Sequence, residues 1–140
     1  MLNLPRTLEE FNAFGSGHLP ALLGFEVLSV EPGKLRARMK IRPDLLAPNG
    51  YLHAASVVAL ADTACGYGTI TLLPPEATGF TTIELKSNFL GTCREGAILA
   101  DGVCIHSGRT TQVWDASVTD ESNGKRIAVF RCTQVILYKA

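Results

Sequence analysis

The 140-residue sequence has no excess of charge of either sign, because thirteen basic and thirteen acidic side chains cancel. Proteins that bind nucleic acid draw much of their affinity from clustered Lys and Arg, so this balance argues against a nucleic-acid partner. It also favours self-association, because little long-range repulsion keeps copies of the chain apart.

Long apolar runs are also missing. No run approaches the roughly 20 residues that a bilayer-spanning helix requires, and residues 1–10 lack the basic region and apolar block of a signal peptide. The four cysteines form neither a CxxC pair nor a cluster with histidine, a spacing typical of thiols in a reducing cytosol. We therefore expect a cytoplasmic protein with no membrane segment, disulfide framework or metal site.

The hydrophobic pattern changes its period along the chain, which predicts one long helix among strands. Residues 34–41 alternate strictly between polar and apolar side chains, as in a strand with one buried face, and residues 25–30 precede them across a Pro-Gly turn. Residues 53–67 are Ala-rich, nearly uncharged and free of proline, which predicts a buried helix. A short amphipathic helix is predicted at residues 7–14, ended by Gly15, Gly17 and Pro20.

The second half of the chain is rich in strand signals. Four strands are predicted, over residues 80–90, 97–106, 110–119 and 126–138. A helix as apolar as residues 53–67 needs cover on nearly every side, so we expect an α+β fold in which an antiparallel sheet curls around it and a second copy covers the remainder. Residues 1–140 are interpreted as a single domain, with an N-terminal helical extension over residues 1–20.

One carboxylate stands out within the predicted long helix. Asp62 and Asp44 are the only charged residues between Arg42 and Glu76. An ionised carboxylate in apolar surroundings costs several kcal/mol unless it is paired or hydrogen-bonded, so Asp62 is a candidate functional residue. The structural alternative is a side chain that turns to a partner subunit or a solvent channel.

The start of this helix is a second candidate for function. A helix start offers unpaired backbone N–H groups and a partial positive charge that can hold a developing oxyanion. Asn49 and His53 add side-chain donors there, although Asn49-Gly50 also suits an ordinary turn and His53 a helix cap. His53 and Asp62 are nine residues apart, which is about 13.5 Å and half a turn out of phase along a helix. If both groups act on one substrate, the site must lie between subunits.

These residues resemble the signature of a known family. Gly50-x-x-His53-Ala54-Ala55-x-x-x-x-Leu60-x-Asp62 is similar to the pattern G-x-x-H-G-G-x-x-x-x-L-x-[D/E] of hotdog thioesterases of the phenylacetate-degradation type. Residues 84–96 resemble that family's next strand and turn, and residues 106–114 resemble its hairpin near the coenzyme A site. The similarity extends from about residue 23 to residue 137.

The resemblance implies a hotdog fold, with one long central helix wrapped by an antiparallel sheet and active sites at the interface of a homodimer or homotetramer. It implies hydrolysis of acyl-CoA without a cofactor, since coenzyme A is part of the substrate. Asp62 would then act as nucleophile or general base, while the N–H of Ala54 polarises the thioester carbonyl and His53 supports that end. A hydroxyl of Thr82 (or Thr81) would help to place the water.

The substrate-binding candidates include two arginines whose planar fork suits the phosphates of coenzyme A. Arg109 follows Gly108, which allows close backbone approach, and Arg94 is the second candidate; a solvated turn is the alternative for Gly108-Arg109. The full predicted binding set is Gly50, Thr81, Asn88, Arg94, Gly108, Arg109 and Thr110. Five apolar side chains are candidates for an acyl pocket, with core packing as the equal alternative: Phe25, Leu46, Tyr51, Tyr67 and Phe80.

Three positions depart from the family pattern. Ala54-Ala55 replaces Gly-Gly, which keeps the N–H of residue 54 but adds two methyl groups where an acyl group approaches. Ala47 stands where relatives often have Asn or Gln, and Gly66 replaces a hydroxyl residue found in some relatives. Two other functions therefore stay open: a hotdog hydratase or dehydratase, which would pair a histidine with an acid, and an acyl-CoA-binding protein without turnover.

Overall fold

The computed structural model describes residues 3–140, so the first two residues of the predicted N-terminal extension lie outside the described residues. Two short helices come first, followed by two strands, a 3-10 turn over Pro43–Leu45, one long helix and four more strands. In chain order these are α1 (Leu8–Phe14), α2 (Leu19–Leu22), β1 (Glu26–Glu31), β2 (Lys34–Lys40), α3 (Ala54–Ile70), β3 (Ala77–Phe89), β4 (Ala97–Ser107), β5 (Thr111–Asp120) and β6 (Arg126–Tyr138). None of the helices within residues 3–140 is long and apolar enough to cross a bilayer.

The six strands form one antiparallel sheet in the order β1-β2-β4-β5-β6-β3. Helix α3 packs against every strand of this sheet and lies along its inner face. The strands β1 and β3 are the two edges. The prediction of an antiparallel sheet wrapped around one long helix is therefore confirmed.

The alternation predicted for β2 sets the two faces of the sheet. Leu35, Ala37 and Met39 are buried on the inner face, in the core that also contains Leu60 and Ala64 of α3. The arginines between them lie on the outer face. There they form ion pairs with acidic side chains of neighbouring segments, Arg36 with Asp101 at 2.6 Å and Arg38 with Glu121 at 2.7 Å.

The N-terminal extension contains the predicted helix α1. Thr7 caps it in a capping box, since its hydroxyl accepts from the N–H of Glu10 at 3.2 Å and the Glu10 carboxylate accepts from the N–H of Thr7 at 3.2 Å. The side chain of Asn12 bonds both the N–H and the C=O of Val27, which fastens α1 to the edge strand β1.

Three parts of the chain differ from the prediction by more than one residue. Pro20 does not end helical structure but begins the short helix α2, because proline is tolerated in the first turn, where its missing N–H has no helical acceptor. Strand β3 begins at Ala77, three residues before the predicted start. Helix α3 continues three residues beyond Tyr67, and its last carbonyls find donors: the Thr71 hydroxyl bonds the C=O of Gly68 at 2.6 Å.

Candidate active site

Asp62 lies midway along α3 and is half-buried. The Thr82 hydroxyl on the adjacent edge strand β3 donates to Oδ1 of Asp62 at 2.9 Å. Burial raises the pKa of the Asp62 carboxyl above its ordinary value, and the hydrogen bond from Thr82 partly opposes this increase. A carboxylate with a raised pKa binds a proton more readily, which suits a base.

The strand pattern decides which of the two threonines meets Asp62. Thr82 pairs with Gln134 of β6, whose side chain is buried on the inner face of the sheet. Thr81 precedes it in the strand and is exposed, because successive side chains point to opposite faces. Of the two predicted hydroxyls, Thr82 is the one that contacts Asp62.

His53 is the N-cap residue of α3. Its Nδ1 accepts from the N–H of Ala55 at 2.9 Å, so the neutral imidazole carries its proton on Nε2. The N–H of Ser56 donates to the His53 carbonyl at 2.9 Å. Within residues 3–140 the N–H of Ala54 has no acceptor, and Ala54 is exposed. The helix start therefore presents one free N–H beside an imidazole Nε2–H.

The loop before α3 forms a turn. The side-chain oxygen of Asn49 accepts from the N–H of Tyr51 at 3.2 Å, and Gly50 has a φ of 86°, a left-handed conformation that favours glycine. The Arg94 guanidinium lies over the Tyr51 ring, 4.5 Å from its centroid. The structure thus brings Arg94 next to Gly50 and the helix start.

The remaining binding candidates lie elsewhere. Gly108, Arg109 and Thr110 form the turn between β4 and β5, where the Arg109 guanidinium lies 5.6 Å from the centroid of the Tyr138 ring. Strand β4 separates this turn from Arg94 by roughly 30 Å at about 3.3 Å per residue. Asn88, near the end of β3, is exposed and accepts from Nζ of Lys86 at 2.8 Å. A single chain therefore does not bring Arg94 and Arg109 together.

The helix start and Asp62 are also apart within one chain, by about 12 Å along α3 at 1.5 Å per residue. They are connected by a surface of α3 that other described elements do not fully cover. Ala55 is exposed, and Val58, Ala59 and Asp62 are only half-buried; their spacing of three, four and seven residues places them on one side of the helix. We call these four residues the open helix face.

An apolar groove of about 370 Å³ lies beside the helix start. Its lining includes Leu19 and Leu23, together with Leu46, Ala55 and Ala59. Among the predicted acyl-pocket residues, Leu46 lies in this groove. Phe25 and Tyr67 instead pack together in the core, with ring centroids 5.2 Å apart, Phe80 packs close to Gly66, and Tyr51 is exposed beneath Arg94.

Gly66 lies one helical turn after Asp62, and Gln134 contacts the threonine that bonds Asp62. A Cβ at Gly66 would lie 3.1 Å from the Phe80 ring, so the larger residue of some relatives would crowd this position. Gln134 was not predicted as part of the site. Its Oε1 lies 3.0 Å from Oγ1 of Thr82, and the signal that could have identified it is its place in β6, alternating with the buried Cys132 and Ile136.

An antiparallel sheet around one helix, with a carboxylate midway along that helix and a free N–H at its start, is the architecture of a hotdog thioester hydrolase. The model of the thioesterase superfamily matches residues 49–127, from the loop before α3 to the start of β6. The chain belongs to the thioesterase superfamily, and it is a thioester hydrolase with the hotdog fold, as the sequence resemblance implied.

Known proteins of this kind are similar over most of their length. A 1,4-dihydroxy-2-naphthoyl-CoA hydrolase of Listeria monocytogenes is 33% identical over 121 residues, which cover 86% of this chain and 97% of that protein. The crystal structure of a Pseudomonas aeruginosa thioesterase variant superposes with a TM-score of 0.90 at 27% identity, covering 98% of each chain. A Streptococcus mutans protein solved with bound acetyl-CoA superposes with a TM-score of 0.73 at 27% identity, covering 82% of this chain and 90% of that one.

Proposed function

We propose that this protein hydrolyses acyl-CoA thioesters to a free acid and coenzyme A, with Asp62 as the reacting carboxylate. The observation that carries the proposal is the half-buried Asp62, hydrogen-bonded by Thr82 at the end of an otherwise apolar helix face. A charged group in such a position is costly for a fold and useful for chemistry.

The proposed reaction has two variants that use the same groups. As a general base, Asp62 takes a proton from water while the hydroxide adds to the thioester carbonyl carbon. As a nucleophile, the carboxylate itself adds there, and water then hydrolyses the resulting anhydride. In both, negative charge develops on the carbonyl oxygen, where the N–H of Ala54 and the Nε2–H of His53 act as donors. Collapse of the tetrahedral intermediate breaks the C–S bond and releases the coenzyme A thiolate.

We further propose that the site is assembled from two copies of the chain, because about 12 Å of helix separates Ala54 from Asp62. The inner face of β3 supports this proposal. Leu85 pairs with the buried Cys132 and Phe89 with the buried Ala128, so both point to the inner face, yet they remain 41% and 47% exposed. A second copy that lies along the edge strand β3 would cover these side chains and the open helix face.

A two-fold arrangement along β3 also has a consequence for substrate binding. The two copies of α3 would run antiparallel, so the turn with Arg109 in one copy would lie at the same end as Arg94 of the other. We propose that these arginines bind the phosphates of coenzyme A, with Gly50, Thr81, Asn88, Gly108 and Thr110 as further contacts. The acyl group would occupy the apolar groove beside the helix start, and the reaction would need no cofactor.

The sharpest test is release of free thiol from a panel of short, medium, long and aromatic acyl-CoAs. An aromatic substrate belongs in the panel because the Listeria relative is named for one. Asp62→Asn should lower the rate by about a hundredfold or more, since it removes the group that activates water. Asp101→Asn is the matched control: its carboxylate lies on the outer face, paired with Arg36 at 2.6 Å, and its loss should leave the rate unchanged. An Asp62→Asn protein with native activity would contradict the proposal.

The two alternative functions have different outcomes in the same panel. A hydratase would change the absorbance of an enoyl-CoA without releasing thiol. Within residues 3–140 the His53 imidazole has no carboxylate partner, so the histidine–acid pair of a hydratase would have to form with Asp62 of a second copy. Tight binding of acyl-CoA with no thiol release from any substrate would instead indicate a binding protein.

A further inference from the structure

The buried side chain of Gln134 also contacts the Thr82 hydroxyl that bonds Asp62. Oγ1 of Thr82 lies 2.9 Å from Oδ1 of Asp62 and 3.0 Å from Oε1 of Gln134. Gln134 is directly paired with Thr82 across β3 and β6, and it is fully buried, with 0% of its surface exposed. Its Nε2 donates to Sγ of Cys132 at 3.4 Å. The three side chains form a row from the helix into the core.

The Thr82 hydroxyl has one proton, so it cannot donate to both oxygens at once. When Asp62 is ionised it can only accept, and the hydroxyl proton must point to it. Oγ1 of Thr82 then needs a donor on its other side, which the Gln134 NH2 group supplies after a half-turn of the carboxamide. When Asp62 is protonated, it donates to Thr82, and the hydroxyl proton points to Oε1 of Gln134. The carboxamide orientation and the Asp62 proton are therefore coupled.

We propose that Gln134 is a positioning residue of this active site: its carboxamide fixes the direction of the Thr82 hydroxyl, and in the orientation that donates to Thr82 it favours the ionised, proton-accepting form of Asp62. The inference rests on the proposed role of Asp62 in hydrolysis. Full burial makes the effect strong, because within residues 3–140 the carboxamide has only Thr82 and the weakly bonding sulfur of Cys132 as partners.

Both orientations leave the carboxamide with partners. With Asp62 ionised, the NH2 group of Gln134 donates to Thr82, and the Cys132 thiol can donate to Oε1. With Asp62 protonated, the NH2 group donates to the Cys132 sulfur, as in the structure. A methionine at position 134 would keep the volume and lose both alternatives, leaving Thr82 without a donor.

The other titratable side chains near Asp62 on its own chain are thiols and a phenol. On α3 and the inner face of the sheet they are Cys65, Tyr67, Cys104 and Cys132. A hydrogen bond with Cys132, and then burial, raise the pKa of Cys65 well above its ordinary value, and burial raises the pKa values of Tyr67 and Cys104.

The charged side chains of the sheet lie on its outer face or at its exposed ends and edges. Arg36, Arg38 and Arg131 are paired with Asp101, Glu121 and Asp115, Asp120 at the end of β5 accepts from Ser122, and the others are exposed: Glu26, Glu31, Lys34, Lys40, Glu84, Lys86 and Arg126. In the proposed dimer, His53 of a second copy also approaches Asp62. The variants at positions 82, 112 and 134 all retain this histidine.

The test compares the pH dependence of kcat/KM for the native protein and Gln134→Met. Loss of the NH2 donor destabilises the Asp62 anion, so the acid limb should move to higher pH by roughly half a unit to one unit, a three- to tenfold loss of rate on that limb. KM should change less than about twofold, because Gln134 lies in the core beneath Thr82. If Gln134→Met does not fold, Gln134→Leu also lacks the NH2 group, adds no titratable group and should shift the limb in the same direction.

Gln112→Met is the matched control. Gln112 is also fully buried and pairs directly with Gln134, but it donates to the C=O of Leu72 at 3.2 Å and accepts from Nε1 of Trp114 at 2.8 Å, away from Asp62. Its loss should reduce stability and leave the acid limb in place. If Gln134→Met and Gln112→Met moved the acid limb of kcat/KM equally, the effect of Gln134 would be structural. That result would overturn the proposal.

A double-mutant cycle tests the path through Thr82. In a Thr82→Val background Gln134→Met should cause no further shift of the limb, whereas in Thr82→Ser, which keeps the hydroxyl, the full shift should return. A shift that persists in Thr82→Val would contradict the proposal. This failure is distinguishable from failure of the proposed function, since Asp62→Asn would still be inactive; if Asp62→Asn were active, the role of Asp62 itself would be wrong.

Discussion

At the scale of single residues, Asp62 illustrates how a functional carboxylate affects stability. Burial raises its pKa in the folded protein, although Thr82 donates a hydrogen bond to it. The folded state then binds the proton more tightly than the unfolded chain does. Asp62 consequently contributes stability below its unfolded pKa, and this contribution is lost as the pH rises through the folded pKa.

We expect Asp62→Asn to unfold at higher urea concentration than the native protein at pH 7. The amide remains neutral, so the variant avoids the cost of the buried charge. The difference should shrink as the pH falls toward the ordinary carboxyl pKa of 3.8, where both side chains are uncharged. Urea titrations between pH 4 and pH 8, at one fixed protein concentration, measure the trend. A native protein that gains stability over Asp62→Asn as the pH rises would indicate a lowered pKa instead.

Asp62 and Gln134, which both contact Thr82, differ in how readily the sequence alone identifies them as site residues. Asp62 could be selected because it is a charge within an apolar helix, a contrast that needs no knowledge of tertiary contacts. Gln134 was harder to select: its alternation with Cys132 and Ile136 places it on the buried face of β6, but no pattern within β6 shows that it meets Thr82. The contact between Thr82 and Gln134 depends on the pairing of two strands that are 52 residues apart in the chain.

At the scale of elements, the prediction succeeded where a pattern is repeated and erred at boundaries. The strict alternation of β2 and the uncharged run of α3 identify both elements, because each has enough residues to define a period. The end of α3 was predicted too early. Gly66 and Gly68 are poor helix formers, yet the helix continues through them, since tertiary packing outweighs local propensity there.

The packing of Trp114 explains why glycine is retained at position 68. An added Cβ would lie 2.6 Å from two atoms of the indole ring, which is fully buried beneath the helix. At Gly66 the corresponding distance, to the Phe80 ring, is 3.1 Å. Of these two glycines, Gly68 therefore has less room for a side chain.

We expect Gly68→Ala to lose roughly 1–3 kcal/mol of stability, because Trp114 must leave its preferred position. Gly66→Ala is the matched variant, since both changes add about the same helix propensity, near 1 kcal/mol. Urea denaturation should therefore find Gly68→Ala the less stable of the two. Equal stabilities would mean that the indole moves at no cost, and the close approach would not explain the glycine.

At the scale of the whole molecule, a single chain leaves two kinds of surface uncovered. The open helix face runs from Ala55 to Asp62, and the inner face of β3 carries the exposed side chains of Leu85 and Phe89. Both surfaces lie on the side of the sheet that forms the core, so their exposure is unlike that of an ordinary solvent face. The zero net charge predicted association. The strand order leaves β1 and β3 as possible edges for it, and the exposed inner-face side chains of Leu85 and Phe89 favour β3.

Assembly and catalysis are linked in the proposed dimer, and Leu85 on the inner face of β3 offers a way to test the link. Leu85→Lys would bury an unpaired charge in the proposed interface, at a cost on the order of 3 kcal/mol, and should weaken the dimer about a hundredfold. Leu28→Lys introduces the same charge at a 36% exposed leucine of β1, the opposite edge of the sheet, and serves as the control. Sedimentation velocity and thiol release, measured over one series of concentrations, should change together in Leu85→Lys and remain native in Leu28→Lys. Because Asp62 and the free N–H of Ala54 would belong to different copies, activity should return as higher concentration restores the dimer. A Leu85→Lys monomer with native activity would mean that one chain suffices for hydrolysis.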